Sequence, residues 1–342
     1  MSRKQKHTGF AIAIAWPETY CKQPGSWYDP ITLTLGINKN NFYRVGHAAL
    51  VLIDNKRLKA RYFDFGRYHS PYKYGRVRSA ETDHDLEINT VPVISDDNKY
   101  IENFRKILTE LQQNPACHGE GELHASYCPV NFEAAFATAK KMVEKSPIPY
   151  GPFRFKGSNC SRFVNTAIRA GKPDFRHWFG LYFKVPLTPT PISNVNALEN
   201  GLVLPKLLKG EPFCPLQKLD KKLLTATLPP PLRHPSIPEN AQWLSGEGAG
   251  SWFSILPTDG GKFEITRFSP EGEVECNGIF AISGNQAFNP DYSYRIDYLS
   301  HCRQVTVWQK NQKLALVRKN TKKIRNRPSF TQKQEKVEAV FF

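Results

Sequence analysis

The feature that most constrains the fold is a nearly continuous apolar run, residues 46–54, with His47 at its start. An apolar run of this length predicts a strand. A turn signal, Asp-Asn-Lys-Arg at 54–57, follows this run, and a second, partly alternating strand occupies residues 58–65. The pattern therefore predicts an antiparallel hairpin inside a sheet.

The predicted hairpin places a histidine beside a carboxylate. If the chain turns at Asn55 and Lys56, antiparallel pairing puts His47 directly opposite Asp64. Directly opposed residues share one face of the sheet, and their Cβ atoms lie about 5 Å apart. A carboxylate at this distance can orient an imidazole and fix its tautomer, which prepares the ring to act as a base.

A cysteine at the start of a predicted helix is the second informative feature. Ser158 or Asn159 can cap this helix, and Gly171 and Pro173 end it. The unpaired N–H groups and the helix dipole of the first turn favour a thiolate, so they lower the pKa of Cys160. Free cysteines often only fill a core. The position of Cys160 alone therefore does not establish catalysis.

A Gly-His strand that precedes an Asn-Cys helix resembles the circularly permuted NlpC-type papain-like cysteine hydrolases. This branch includes YiiX-like proteins and lecithin-retinol acyltransferase-like enzymes, and the resemblance covers about residues 10–185. The resemblance implies that Cys160 is the nucleophile, that His47 is the base and that Asp64 orients the histidine. It also implies a hydrolase that cleaves an amide or ester bond through an acyl-thioester, without a cofactor.

Two further residues belong to the predicted site. Tyr150, in Pro149-Tyr150-Gly151, matches a tyrosine that often lines the site in this superfamily, and Asn159 adjoins the nucleophile. We predict that both bind the substrate, which would be a peptide, an amide or an acyl ester. Two alternatives stay open: a lipid acyltransferase or thioesterase on the same fold, and a binding module without catalysis.

The remaining periodicity predicts the fold class. Apolar residues at helical spacing predict helices at 97–113 and 131–145. With the cysteine helix they would cover one face of a sheet that begins with the apolar run 10–16. The expected class is α+β, with a permuted papain-like domain at 1–184 that combines an antiparallel sheet with helices. Residues 68–78 are interpreted as a solvated loop or, alternatively, as a substrate-facing flap.

The second half of the chain differs in composition. A proline-rich stretch, 185–240, is typical of a linker or an ordered wrap. Short strands separated by turn residues then predict a small all-β domain, a meander that forms a barrel or sheet, at 241–317. The tail, 318–342, carries eight lysines or arginines in a chain of net charge +16. It is expected to be disordered and to bind polyanions weakly.

Composition also bears on location and metals. Seven cysteines without regular spacing favour a reducing compartment. Cys117, His118, His124 and Cys128 could offer zinc ligands, but their spacing matches no common zinc pattern, so no metal site is expected. The apolar run 10–16 lies at the lower limit for the apolar region of a signal peptide and leads into Pro17-Glu18, so we interpret it as a buried strand. No segment approaches the roughly twenty apolar residues of a transmembrane helix. A cytoplasmic protein is therefore expected.

Overall fold

The structure, a computed structural model, describes residues 7–23, 29, 34, 36, 38–117, 119–151, 153–186, 188–206, 213–218 and 221–319. Its strands are β1 (Gly9–Trp16), β2 (Tyr20–Lys22), β3 (Asn38–Lys39), β4 (Phe42–Arg44), β5 (His47–Asp54), β6 (Lys59–Gly66), β7 (Tyr74–Ser79), β8 (Leu123–Val130), β9 (Ile148–Pro149), β10 (Glu199–Leu204), β11 (Gln242–Leu244), β12 (Ser251–Thr258), β13 (Lys262–Phe268), β14 (Val274–Ile282), β15 (Arg295–His301), β16 (Gln304–Gln309) and β17 (Gln312–Arg318). Its α-helices are α1 (Phe104–Gln113), α2 (Phe132–Lys145), α3 (Cys160–Ala170), α4 (Phe175–Phe179), α5 (Pro191–Asn196) and α6 (Lys221–Leu224).

The first sheet surrounds two strands that are buried along their whole length. Its order is β10-β8-β1-β5-β6-β7-β9, and all its pairings are antiparallel. Both β1 and β5 are buried at every position. Such strands must be apolar on both faces, which explains why neither shows an alternating pattern in the sequence. The predicted sheet strands at 10–16 and 46–54 are confirmed.

Each face of this sheet has its own core. On β1, Ala11, Ala13 and Ala15 face helices α2 and α3, whereas the larger Phe10, Ile12, Ile14 and Trp16 face α1. Small side chains let the helices of the first face approach the strands closely. The prediction that all three helices cover one face is therefore wrong. Because both faces of the central strands are apolar, the sequence pattern could not decide which helix packs on which side.

The helix boundaries differ from the predictions in one place. Helix α2 begins directly after Asn131, whose Oδ1 accepts the Ala134 N–H at 2.9 Å, as the predicted range 131–145 implies. Helix α1 begins at Phe104 rather than near 97. Ser95 Oγ accepts the N–H groups of Lys99 and Tyr100, at 3.2 and 3.0 Å, which holds the preceding residues in a turn.

The first sheet continues beyond residue 184. Helix α5 and strand β10 both lie within the stretch 185–240 that the sequence predicts to be a linker or an ordered wrap, and β10 pairs with β8 at the sheet edge. Pro191 occupies the first turn of α5, where it leaves no hydrogen bond unmade. Prolines in this stretch are therefore compatible with regular structure, which composition alone did not reveal.

The second large sheet has the strand order β11-β12-β13-β14-β17-β16-β15. Its two end strands are joined by Gln242, whose Nε2 donates to Tyr294 O and whose Oε1 accepts the Ile296 N–H, each at 3.0 Å. The sheet is thus a nearly closed barrel. The α+β class with a C-terminal β domain is confirmed. The order is not a simple meander, because β14 pairs with β17 rather than with β15.

A third, small sheet, β2-β4-β3, precedes the central hairpin.

Among the described residues, no helix is both long and apolar enough to cross a membrane. The predicted disordered tail lies outside the described residues from position 320 onward.

Candidate active site

Cys160 is the first residue of helix α3. Of the two predicted caps, Asn159 is the one used: its Oδ1 accepts the Arg162 N–H at 2.7 Å. Cys160 is 8% exposed and lies at the positive end of a helix of eleven residues. The local geometry is the one that favours a thiolate.

His47 and Asp64 meet although the predicted register is wrong. The turn contains four residues rather than two, because Asp54 pairs with Lys59 and Asp54 Oδ1 accepts the N–H groups of Lys56 and Arg57. Ala49 rather than His47 therefore lies opposite Asp64. The shift equals two residues, so His47 keeps the same face of the sheet. Its Nε2 reaches Asp64 Oδ2 diagonally at 3.3 Å.

Asp64 is fully buried and held by three donors besides the histidine. Arg78 donates to its two oxygens at 3.0 and 2.5 Å, and the hydroxyls of Tyr62 and Tyr68 donate to Oδ2 at 3.1 and 2.8 Å. Burial by itself would raise the pKa of Asp64. The charges of Arg78 and His47 and their hydrogen bonds outweigh it and hold this pKa well below its usual range. Asp64 is therefore a carboxylate.

His47 contacts Asp64, Cys160 and an aromatic ring. Trp16 stacks on the imidazole, with ring centroids 5.9 Å apart and planes inclined by 19°. Burial lowers the pKa of His47, but hydrogen bonds to Asp64 and Cys160 raise it to about 9. The ring is thus protonated at neutral pH.

The pKa of Cys160 shifts in the opposite direction. Burial raises it, but the hydrogen bond and charge of His47, together with bonds from Ser161 and the Ala48 N–H, lower it below the usual value of a thiol. At two other core cysteines burial prevails: it raises the pKa of Cys117 to about 12, although the charge of Arg78 and a hydrogen bond with Tyr62 oppose it, and it raises the pKa of Cys128 well above the usual value. Cys160 is therefore chemically distinct from the cysteines that only fill a core.

The two predicted substrate-binding residues have different surroundings. Tyr150 lies beside the nucleophile: its ring stacks on Phe65 at 5.4 Å, and the charge of Cys160 contributes to the raised pKa of its hydroxyl after burial. Asn159 uses Oδ1 to cap α3. Substrate binding by either residue stays a prediction, and for Asn159 the structure provides a structural role.

Sequence reasoning missed the groups that surround Asp64. Tyr62 shares its face because it lies two positions away on the same strand, a signal that period-two alternation could have supplied. Arg78 lies directly opposite Asp64 on β7. The interpretation of 68–78 as a loop or flap is wrong from Tyr74 onward, because those residues form that strand. Residues 68–73 do lie outside helices and strands, but Tyr68 is buried rather than solvated.

The possible zinc ligands are separated by the sheet. Cys117 lies in the core on the α1 face, whereas Cys128 lies in the core on the opposite face. His118 lies outside the described residues. Within the described part of the chain, no group of three or more His, Cys, Asp or Glu side chains could hold a metal ion.

Comparisons with known proteins give two separate matches. Residues 11–175 match a family model described as type VI secretion system effector TseH-like, and residues 241–319 match one described as DUF6695 C-terminal domain. The crystal structure of the type VI secretion system effector TseH is 18% identical, over 58% of this chain and 93% of that chain, with a TM-score of 0.39. A search of curated proteins found no match. The first matched segment contains Cys160, His47 and Asp64.

Proposed function

We propose that the chain is a cysteine hydrolase that cleaves an amide or ester bond through an acyl-thioester on Cys160. The observation that carries the proposal is the hydrogen-bonded series Cys160–His47–Asp64, in which the cysteine pKa is lowered and the histidine pKa is raised to about 9. Opposite shifts of this kind describe a thiolate–imidazolium pair. The raised pKa of Cys117 is the contrast expected of an inert core cysteine.

The reaction follows from these groups. The Cys160 thiolate attacks the carbonyl carbon, an S–C bond forms, and the carbonyl π electrons move to oxygen. The Cys160 N–H at the start of α3 donates to that oxyanion. As the C–N or C–O bond breaks, protonated His47 gives its proton to the leaving amine or alkoxide. Neutral His47 then takes a proton from water, which attacks the thioester and releases the acid and the thiolate.

The family match extends the proposal to a biological setting. Because residues 11–175 match TseH-like effectors, we infer that this hydrolase serves as an effector of a bacterial type VI secretion system. The cytoplasmic location expected from the sequence would then describe where the protein is made. Its substrate would be a peptide, amide or acyl ester at the place of delivery, and the basic tail would add weak contacts with polyanions.

The test is direct detection of the acyl-enzyme. The protein, with the exposed Cys214 replaced by Ser, is mixed with p-nitrophenyl acetate and followed by intact mass and peptide mapping. We expect a burst of nitrophenol, one acetyl group on Cys160 and its slow loss to water. Cys160→Ser should abolish the burst, and His47→Ala should slow it by about two orders of magnitude or more.

The control is Cys128→Ser, which removes a core thiol on the same face of the sheet and should leave the burst unchanged. Acetyl groups spread over several cysteines at similar rates would contradict the hydrolase. Transfer of the acetyl group to an added amine or alcohol in preference to water would instead support the acyltransferase alternative.

A further inference from the structure

The C-terminal barrel contributes a glycine-rich loop, residues 245–250, that reaches the first domain. Glu247 in this loop is 3% exposed. Its Oε1 accepts a hydrogen bond from Arg67 at 2.5 Å, and its Oε2 accepts the Lys73 N–H at 2.9 Å. A buried carboxylate that is paired and hydrogen-bonded in this way fixes both of its partners. The loop therefore holds residues 67–73 at two points.

The glycines of the loop allow the two backbones to touch. A Cβ atom on Gly246 would lie 2.1 Å from Tyr68 O, and one on Gly248 would lie 2.6 Å from Arg67 O. Such distances exclude any larger residue unless the backbone moves. Where the loop ends, Ser251 Oγ lies 2.7 Å from His69 Nε2. These glycines have no part in the proposed chemistry, but they allow the close contact between the two domains.

The segment that the loop holds carries groups of the candidate site. The Tyr68 hydroxyl donates to Asp64 Oδ2 at 2.8 Å and lies 3.5 Å from His47 Nε2. Arg67 lies over the ring of Tyr150, 5.3 Å from its centroid. The backbone of Tyr150 donates to the carbonyl of Lys73 at 2.9 Å. The segment therefore contacts Asp64, the carboxylate that orients His47, and also Tyr150, which is predicted to bind the substrate.

We propose that the C-terminal barrel completes the catalytic unit and that Glu247 is a positioning residue for it. Glu247 acts through Arg67 and the 67–73 backbone, which place Tyr68 against Asp64 and Arg67 against Tyr150. The barrel is in this sense a part of the active site rather than a separate targeting module. The proposal rests on the proposed function, because it assumes that the chemistry at Cys160 is catalytic.

Two variants test the contact, and each has a matched control. Glu247→Gln keeps the side-chain shape and removes the charge that Arg67 needs, whereas Gly246→Ala keeps all charges and forces the backbone at Tyr68 to move. Glu264→Gln, on β13 of the same barrel, and Gly201→Ala, where a Cβ atom meets nothing within 4 Å, are the controls. Tyr68→Phe removes only the hydroxyl that contacts Asp64.

The measurement is the pH dependence of iodoacetamide alkylation at Cys160, in the full chain with Cys214→Ser. Near pH 6 we expect Glu247→Gln, Gly246→Ala and Tyr68→Phe to lower the rate by about threefold or more, because half a unit of thiol pKa changes the thiolate fraction by that factor. The controls should match the parent protein. Near-ultraviolet circular dichroism and melting curves verify that each variant is folded at the assay temperature.

The outcomes separate the two proposals. If Cys160 of the parent protein shows no preferential labelling and forms no acyl-enzyme, the proposed function fails. If the parent protein reacts as expected but folded Glu247→Gln and Gly246→Ala keep its pH profile, only the positioning role fails. The same conclusion follows if Tyr68→Phe shifts the profile while both barrel variants do not.

Discussion

His47 Nε2 lies 3.3 Å from Asp64 Oδ2, although the residue directly opposite Asp64 on the neighbouring strand is Ala49. The histidine thus reaches its carboxylate along the diagonal of the ladder, a separation that a long aromatic side chain can span. On the other side of β6, Arg78 of strand β7 lies directly opposite Asp64. Asp64 therefore lies between two cationic partners on neighbouring strands.

The first prediction concerns the stability that this arrangement provides. Asp64→Asn should lower the free energy of unfolding by about 3–5 kcal/mol, because it leaves the buried Arg78 without its carboxylate. Chemical denaturation at neutral pH measures the change. Asp97→Asn, at an exposed ion pair with Lys99, is the control and should leave the midpoint nearly unchanged. If Asp64→Asn also left the denaturation midpoint nearly unchanged, Arg78 would have to find another partner in the variant.

The second prediction concerns the protonation of His47. Its imidazole should titrate near pH 9 rather than near 6.5, because Asp64 and the Cys160 thiolate both favour the charged ring. The raised pKa means that this interaction stabilises the fold fully below pH 6.5 and is lost as the pH rises through about 9. Nuclear magnetic resonance of ¹⁵N-labelled histidine follows the titration directly.

Cys160→Ser provides the matched comparison for that titration. It keeps a hydroxyl beside the ring but removes the thiolate, so the pKa of His47 should fall while the pair with Asp64 is retained. A His47 pKa that is identical in the two proteins would contradict a thiolate–imidazolium pair.

The third prediction uses two helices capped in the same way. Asn159 caps α3 and Asn131 caps α2, each accepting an N–H in the first turn, at 2.7 and 2.9 Å. Replacement of either residue by Ala should cost about 1 kcal/mol of stability. Only Asn159→Ala should also change the alkylation rate of Cys160, because only that cap positions the nucleophile. Similar rates in both variants would mean that the N-terminal geometry of α3 does not depend on its cap.

The fourth prediction concerns acid stability of the barrel. Burial and nearby arginines lower the pKa of His301 to about 3 from 6.5, and its Nδ1 accepts the N–H groups of Arg303 and Gln304. A depressed histidine pKa contributes stability that is complete above pH 6.5 and is lost toward pH 3, by about 1.4 kcal/mol per pH unit.

Thermal unfolding between pH 7 and pH 5 checks this acid effect. His301→Asn, which can still accept from the backbone but does not titrate, should lose less stability over this range than the parent protein. His234→Asn, at an exposed position, is the control and should lose as much as the parent protein. An unchanged pH dependence in His301→Asn would assign the acid loss to other groups.

Part of the site was predictable because it depends on neighbours in the chain. A capping asparagine, a cysteine and an apolar face within a dozen residues specify a helix with its nucleophile at the first position, which α3 has. Likewise, because His47 begins an apolar run, the sequence predicts that it is the first residue of a strand, as it is in β5. The pairing of His47 with Asp64 was predicted from a wrong register. It is nonetheless present because a shift of two residues preserves the face.

The sequence by itself determined the α+β class, the central strands and the capped cysteine helix. These features follow from apolar periodicity and helix capping, which depend on residues close together in the chain. Only the tertiary structure decided which helix covers which face, how Arg78 and Tyr68 surround Asp64, and how Glu247 reaches Arg67 across 180 positions. The reason is that buried charges are stable only with specific partners in space, and those partners leave no periodic signal along the chain.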